Sequence, residues 1–489
     1  MIFNSIIYLI FLITTVLIYY LVPVKWRWPF LLGSSILYYL SFIPVFLGLI
    51  VVLILVNFVL AGPLYEMQGR RRKFFFSFII IFNIAILAFF KYFNILFPGY
   101  HINLFQVDNF FRVDAASRLL MPLGLSYIIF TVLSYQIEIY RQSIKPETHF
   151  GYFSLYLLFF PKIAQGPIER PQFLLPQLYQ NNQFNLEFIK EGLKLILVGY
   201  FKKLVVADRL SIYVNAVYDN SEFHNGTTLL IATIFFAFQI YADFSGYTDI
   251  ALGSAKLFGF DLTGNFKRPY LATSIKDFWD RWHITFSTWL RDYIFLPIAY
   301  FIAHKLNERR FLGISANFWS YTVAILFTFI ICGIWHGVGW NYLIWGMLFG
   351  LFLSFSNATK NLQKRLRTSL GVSKTSAWYR TYSIGLTFCL VLLTWIFFRA
   401  ATIPEALSII SKFFTLSGPI FYQPSELAFA LIAIGSLLAM DMKMEFFLGW
   451  VSVLNNGKYG IRLAGVSLLI VMILLLGVLD GGQFIYFQF

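Results

Sequence analysis

The side chains best suited to move a proton in this sequence sit in its least polar surroundings. His336 lies in TVAILFTFIICGIWHGVGWNYLIWGMLFGLFL, residues 322–353, a run without Asp, Glu, Lys or Arg. A stretch so long and so poor in charge reads as membrane-spanning or membrane-buried. An ionisable group at that depth normally faces a protein interior or a water-filled cavity. Imidazole has the unperturbed pKa that suits proton transfer near neutrality, so His336 is the first candidate for catalysis or transport. A second imidazole, His283, comes 53 positions earlier in a polar, aromatic stretch.

That stretch runs QIYADFSGYTDIALGSAKLFGFDLTGNFKRPYLATSIKDFWDRWHITFSTWLRDYIFLP, residues 239–297. Asp243, Ser245, Tyr247 and Asp249 end an apolar span, and Gly264-Asn265 marks a turn. A helix capped by Thr273 or Ser274 should follow. At 100° per residue, Lys276, Asp280, His283 and Ser287 share one of its faces, with Asp277, Arg281 and Thr288 on the neighbouring stripe. Tryptophan interleaved with alternating charge also describes a helix lying at headgroup level. The polar and aromatic residues around the two histidines, namely Asp277, Arg281, Trp282, Ser287, Trp335, Asn341 and Arg399, form the candidate substrate-binding set. Arg399 can neutralise a phosphate or simply anchor its helix. Cys332 lies four positions before His336, so a thiol–imidazole pair competes with a buried packing cysteine. A metal on His283 and His336 lacks an evident third ligand.

The elements that must position these residues are helical. Charged residues make up 12% of the 489 and hydrophobic ones 59%, about half the charge of a soluble chain. Apolar spans recur along the whole length, and a bilayer requires every backbone polar group to be satisfied internally. The expected fold is all-α and polytopic, with about 10–12 transmembrane helices plus re-entrant and interfacial helices. Cys332 and Cys389 both lie in apolar segments and imply neither a disulfide framework nor a zinc site. The first span lacks the basic start and small-residue cleavage site of a signal peptide. Lys25, Arg27 and the run Arg70-Arg71-Arg72-Lys73 flank a two-span hairpin and mark the cytoplasmic face. The net charge of +15 suits anionic headgroups, and no nucleic-acid motif accompanies it.

Several blocks together resemble the membrane-bound O-acyltransferase family, in its bacterial alginate O-acetyltransferase-like branch. They are PLGLSYIIFTVLSYQIEIYR (122–141), FFPKIAQGPIERPQFLLPQL (159–178), DFSGYTDIALGSAKLFGF (243–260), NFKRPYLATSIKDFWDRWHITFSTWLRDYIFLP (265–297), FIICGIWHGVGWNYLIWGMLFG (329–350) and TWIFFRA (394–400). The resemblance implies one membrane domain over 1–489, with N-terminal helices (1–118), an acyltransferase core (119–400) and C-terminal helices with an aromatic tail (401–489). It implies a central tunnel, an active-site histidine at His336 and a supporting position at His283. A neutral imidazole can take the proton of an attacking hydroxyl and return it to a leaving thiol. The tetrahedral oxyanion then needs fixed donors, for which Trp335, Asn341, His283 and the amides near Gly337 and Gly339 are candidates. Gly333, Gly337 and Gly339 let a ligand or another helix approach closely.

The resemblance further implies transfer of an acyl group, most simply acetyl, from a cytosolic thioester such as acetyl-CoA across a bacterial inner membrane to a polysaccharide. No bound cofactor is expected, and an extracytoplasmic SGNH-hydrolase-like acetyltransferase completes the transfer. D-alanyl transfer to teichoic acid and a non-enzymatic transporter remain open, although no inverted repeat is visible. The C-terminal GVLDGGQFIYFQF reads as an interfacial anchor. It also resembles the aromatic tail motif of surface-acylation systems, which would make Tyr486 a transient acyl carrier.

Overall fold

Short Gly, Pro and Ser breaks divide the apolar sequence into helices. A computed structural model describes residues 1–42, 44–96, 122–306, 310, 315–415, 418–421, 423–446, 454 and 458–478. Among these residues there is no β-strand. The chain forms two compact units, one of residues 1–196 and 248–263, the other of residues 197–247 and 264–489.

The first unit carries α1 (Ile6–Leu21), α2 (Val24–Leu40), α3 (Phe46–Glu66), α4 (Gly69–Leu96), α5 (Leu125–Tyr140), α6 (Phe150–Leu158), α7 (Pro171–Leu178) and most of α8 (Leu186–Tyr200). Inside it, Asn57 of α3 and Asn83 of α4 exchange amide hydrogen bonds of 3.0 Å, a polar tie between two apolar helices. The loop after α6 buries Lys162 and Glu169. The Glu169 carboxylate accepts from the Thr263 hydroxyl at 3.0 Å, and burial raises its pKa to about 7. Lys162 lies over the Tyr156 ring at 5.1 Å, and burial lowers its pKa to about 8.

The second unit carries α9 (Asp208–Tyr218), α11 (Ile275–Arg281), α12 (Ile284–Leu290), α13 (Leu296–Leu306), α14 (Ala316–His336), α15 (Trp340–Ala358), α16 (Lys360–Ser369), α17 (Ala377–Arg399), α18 (Ile403–Lys412), α19 (Pro424–Phe446) and α20 (Tyr459–Leu476). Helix α10 (Gly226–Leu257) begins in the second unit and ends in the first. Two π-helical segments, Phe201–Ala207 and Arg291–Phe295, interrupt the regular geometry before α9 and after α12.

Among the described residues, seven helices are long and apolar enough to cross a membrane: α3, α4, α10, α14, α17, α19 and α20. Helices α15 and α16, bent by 55° relative to each other, pass the same test of length and composition only when taken together. Helix α10 differs from the rest because protein covers 83% of its apolar window. That cladding explains how a span can carry Gln239, Asp243, Ser245 and Thr248, all buried.

Hydropathy alone blurred two breaks. The run 322–353 is a helical hairpin, because Gly337 and Gly339 adopt extended backbone between α14 and α15. The glycines here serve helix packing: a Cβ at Gly333 would meet the Tyr342 carbonyl oxygen, and one at Gly346 would meet that of Phe329. Ser274 caps α11, accepting from the Asp277 amide at 3.1 Å. The helix then stops at Arg281 instead of continuing to Ser287. His283 is left-handed (φ 43°, ψ 54°), so the continuous face expected for Lys276, Asp280, His283 and Ser287 is broken.

Candidate active site

The α14–α15 hairpin positions His336. It is the last helical residue of α14 and is 5% exposed. Four aromatic rings wall it: Trp335 at 4.5 Å, Trp345 at 4.8 Å, Phe398 at 5.4 Å and Phe286 at 6.0 Å between centroids. Trp345 comes from α15, Phe398 from the end of α17 and Phe286 from α12. Asn341 closes this end of the hairpin, donating its amide to the carbonyls of Ala400 (2.9 Å) and Phe397 (3.2 Å). Its amide therefore holds α15 to α17 and is not spare for an oxyanion. The Gly337 amide donates to the Gly333 carbonyl at 3.3 Å and is likewise engaged.

His283 reaches the same chamber. Its ring packs edge-on to Phe244 at 4.7 Å and against Phe286 at 5.0 Å. The Phe286 ring thus contacts both imidazoles. His283 is 1% exposed, and burial lowers its pKa to about 3, so it stays neutral at physiological pH. A neutral imidazole there offers one donor and one acceptor and no net charge.

Beneath the histidines lies a stack of large rings. Trp282 packs on Phe278 at 5.6 Å, nearly parallel, and on Trp395 at 5.2 Å. Trp279 meets Phe349 at 5.0 Å and Trp345 at 6.0 Å. Trp395 donates its indole N–H to the Tyr270 hydroxyl at 3.2 Å. The indole N–H groups of Trp279 and Trp345 are buried and make no hydrogen bond to a described residue. Buried donors of this kind are uncommon and call for an explanation. Trp345 packs against His336 at 4.8 Å and Trp279 against Trp345 at 6.0 Å, and neither stands among the substrate-binding candidates of the sequence.

The remaining expected residues are distributed differently. Ser287 donates to the Trp282 carbonyl at 3.0 Å and locks the turn at His283. Asp277 and Arg281 pair at 2.7 Å, and Arg281 continues to Glu445 of α19 at 3.1 Å. Arg268 (2.7 Å) and Arg380 (3.3 Å) converge on the same carboxylate. This cluster ties α11, α17 and α19 together. Arg399 pairs with Asp219 at 2.9 Å and Asn215 at 3.1 Å and anchors α17 to α9. Cys332 is wholly buried on α14. Tyr486 lies outside the described residues. No group of three or more His, Cys, Asp or Glu is placed to hold a metal ion among the described residues.

A further polar group is buried in this unit. Lys203 of the first π-helical segment stands 2.8 Å from both Asp208 and Asp243, and all three are at most 5% exposed. Nothing local in the sequence announces it, since its members come from the π-helical segment, α9 and α10.

This arrangement matches a known family. Residues 71–398 fit the model of the membrane-bound O-acyltransferase family. The chain is 29% identical over 412 residues to the peptidoglycan O-acetyltransferase of Helicobacter pylori, covering 79% of this chain and 73% of that protein. It is 29% identical over 454 residues to the probable alginate O-acetylase of Pseudomonas putida, covering 91% and 87%. Similarity to the teichoic acid D-alanyltransferase of Streptococcus thermophilus is 27% over 299 residues, or 58% and 70%. With a helical membrane architecture and a family match over most of its length, the chain belongs to the membrane-bound O-acyltransferase family and is an O-acyltransferase.

Proposed function

We propose that the protein moves an acetyl group from a cytosolic thioester, acetyl-CoA, toward hydroxyls of an extracytoplasmic bacterial polysaccharide such as alginate or peptidoglycan. His336 is the general base. The observation that carries this reading is a buried imidazole at a helical hairpin, enclosed by aromatic rings and sharing one of them with a neutral second imidazole. As the hydroxyl oxygen attacks the thioester carbonyl, His336 takes its proton and the C–O bond forms. Collapse of the tetrahedral intermediate breaks the C–S bond, and the imidazolium returns the proton to the departing thiolate. No net proton is released. The buried indole N–H groups of Trp345 and Trp279 supply donors for the oxyanion.

Acetyl is favoured over D-alanyl because the O-acetylating relatives align with 79% and 91% of the chain, against 58% for the D-alanyltransferase. The direction of transfer is supported by α16. Its Lys360, Lys364, Arg365 and Arg367 have no acidic neighbour in the helix, and Leu362 and Leu366 are each 55% exposed. This is a basic interfacial helix, and the positive-inside rule places it on the cytoplasmic face. The 19 residues of α15 span roughly 28 Å at 1.5 Å each. The His336 hairpin then lies about one hydrocarbon thickness away, where an outer acceptor can reach it. Bacterial inner-membrane localisation and an SGNH-hydrolase-like partner on the outer side belong to the same reading.

The test is acetyl transfer from labelled acetyl-CoA by inverted membrane vesicles. His336→Ala should lower transfer by about 10²–10⁴-fold while leaving the amount of folded protein in the membrane unchanged. Undiminished transfer in that variant overturns the assignment. Transfer from a D-alanyl carrier but not from acetyl-CoA moves the protein to the D-alanylating class.

A further inference from the structure

A histidine at a helix N-cap would ordinarily be a poor choice, because its task there is to satisfy the first free amides. His283 holds the N-cap position of α12 but makes no side-chain capping bond. Asn265, 18 residues earlier in sequence, does so instead. Its backbone carbonyl accepts from the Ile284 amide at 2.9 Å. Its side-chain Oδ1 accepts from the Thr285 amide at 3.1 Å and from the Thr285 hydroxyl at 2.6 Å. Two residues on, the Lys267 amide donates to the Arg281 carbonyl at 2.9 Å. Residues 265 and 267 therefore grip the chain on both sides of Trp282-His283.

This grip accounts for three features at once. A left-handed backbone is disfavoured for a residue with a Cβ and persists where its surroundings over-determine it. The side chain relieved of capping packs against Phe244 and Phe286, the second of which also contacts His336. Finally, Asn265 is 1% exposed and its Nδ2 has no hydrogen-bond partner among the described residues. A buried unsatisfied donor carries a net cost. Its presence says that the acceptor half of the amide is what the position requires.

We infer that Asn265 is a positioning residue that fixes the His283 imidazole in the chamber by capping α12 in its place. The inference rests on reading that chamber as the acyl-transfer site. In the full-length protein, reconstituted in liposomes and supplied with labelled acetyl-CoA, Asn265→Ala should lower kcat at least tenfold with the KM for acetyl-CoA within twofold. Asn265→Asp, which keeps both acceptors, should recover most of that loss. Thr285→Val, which removes only the hydroxyl contact, should fall between the two, and it carries the test if Asn265→Ala does not fold. In a His283→Asn background, where asparagine tolerates the left-handed backbone, Asn265→Ala should change the residual rate less than twofold.

Wild-type kcat in folded Asn265→Ala overturns the inference, as does failure of Asn265→Asp to recover activity. A loss that multiplies fully with that of His283→Asn does the same. These outcomes are separable from failure of the functional reading, in which His336→Ala and the wild-type protein transfer acetyl equally.

Discussion

Two buried polar groups in the same unit are solved in opposite ways. At Lys203 one ammonium is shared by two carboxylates at 2.8 Å each, so charge is answered by charge. Around His283 and His336 aromatic rings pack against both imidazoles, at 4.8–6.0 Å between centroids. Burying an ion is expensive unless it is paired and hydrogen-bonded, which commits such a group to holding its partners. An imidazole walled by aromatic rings is placed to take up and return a proton. The contrast separates groups that hold this membrane fold together from groups proposed to perform its chemistry.

Substitutions should respect that separation. The largest stability effect is expected for Lys203→Met, which leaves two carboxylates buried without their cation. It should cost about 3–5 kcal/mol in detergent unfolding, without changing transfer per folded molecule. Replacing Lys203, Asp208 and Asp243 together with apolar residues of similar volume should restore most of that loss. A triple variant as unstable as the single one would show that the cluster does more than pair its charges.

Trp345→Phe tests the other side. It keeps a ring beside His336 and removes the indole donor, so kcat should drop by roughly 10²-fold, about 2.7 kcal/mol in the barrier. Lost ring volume and removal of an unsatisfied donor oppose each other, so the unfolding midpoint should move little. Unaltered kcat would remove this indole from the oxyanion donors.

The pH dependence of stability carries a third, smaller signal. The folded pKa of His283 is depressed to about 3 from 6.5, so the unfolded chain binds the proton first. Its contribution is complete above pH 6.5 and is lost as pH falls toward 3, by up to about 1.4 kcal/mol per pH unit. His283→Asn should flatten that part of the acid limb, and an identical slope would contradict the neutral imidazole. At the small end, the Lys276–Asp280 pair is 76% and 60% exposed. Lys276→Ala should therefore change stability by less than about 0.5 kcal/mol.

How much of this was legible in the sequence depended on how local the cause was. His336 stood out because a titratable residue in a charge-free run contradicts its neighbours, and helical membrane architecture followed from the recurrent spans. The break at Gly337–Gly339 was hidden, because hydropathy averages across three residues that stay apolar. From the sequence alone His283 falls on a continuous helical face, since no sequence signal marks a left-handed histidine. Its cause is Asn265, a residue that reads as part of an ordinary Gly-Asn turn. Asn341 and Arg281 look ligand-facing from sequence, and the fold gives them structural partners as well: carbonyls at the end of α17 for Asn341, and Asp277 and Glu445 for Arg281. Apart from Asp277, these partners lie more than fifty positions away.

The π-helical segment at Phe201–Ala207 has a consequence for insertions and deletions. Lys203 and Asp208 are five residues apart, and the Asp208 amide donates to the Lys203 carbonyl across that wider turn. On a regular α-helix, positions five apart point about 140° away from each other and cannot meet. The extra residue in the turn is therefore what brings ammonium and carboxylate together. Deleting one residue between them would leave hydropathy and length almost untouched. It would tighten the turn to α geometry and leave ammonium and carboxylate four positions apart, a spacing at which they still meet, whereas tightening the same turn without a deletion would point them about 140° apart.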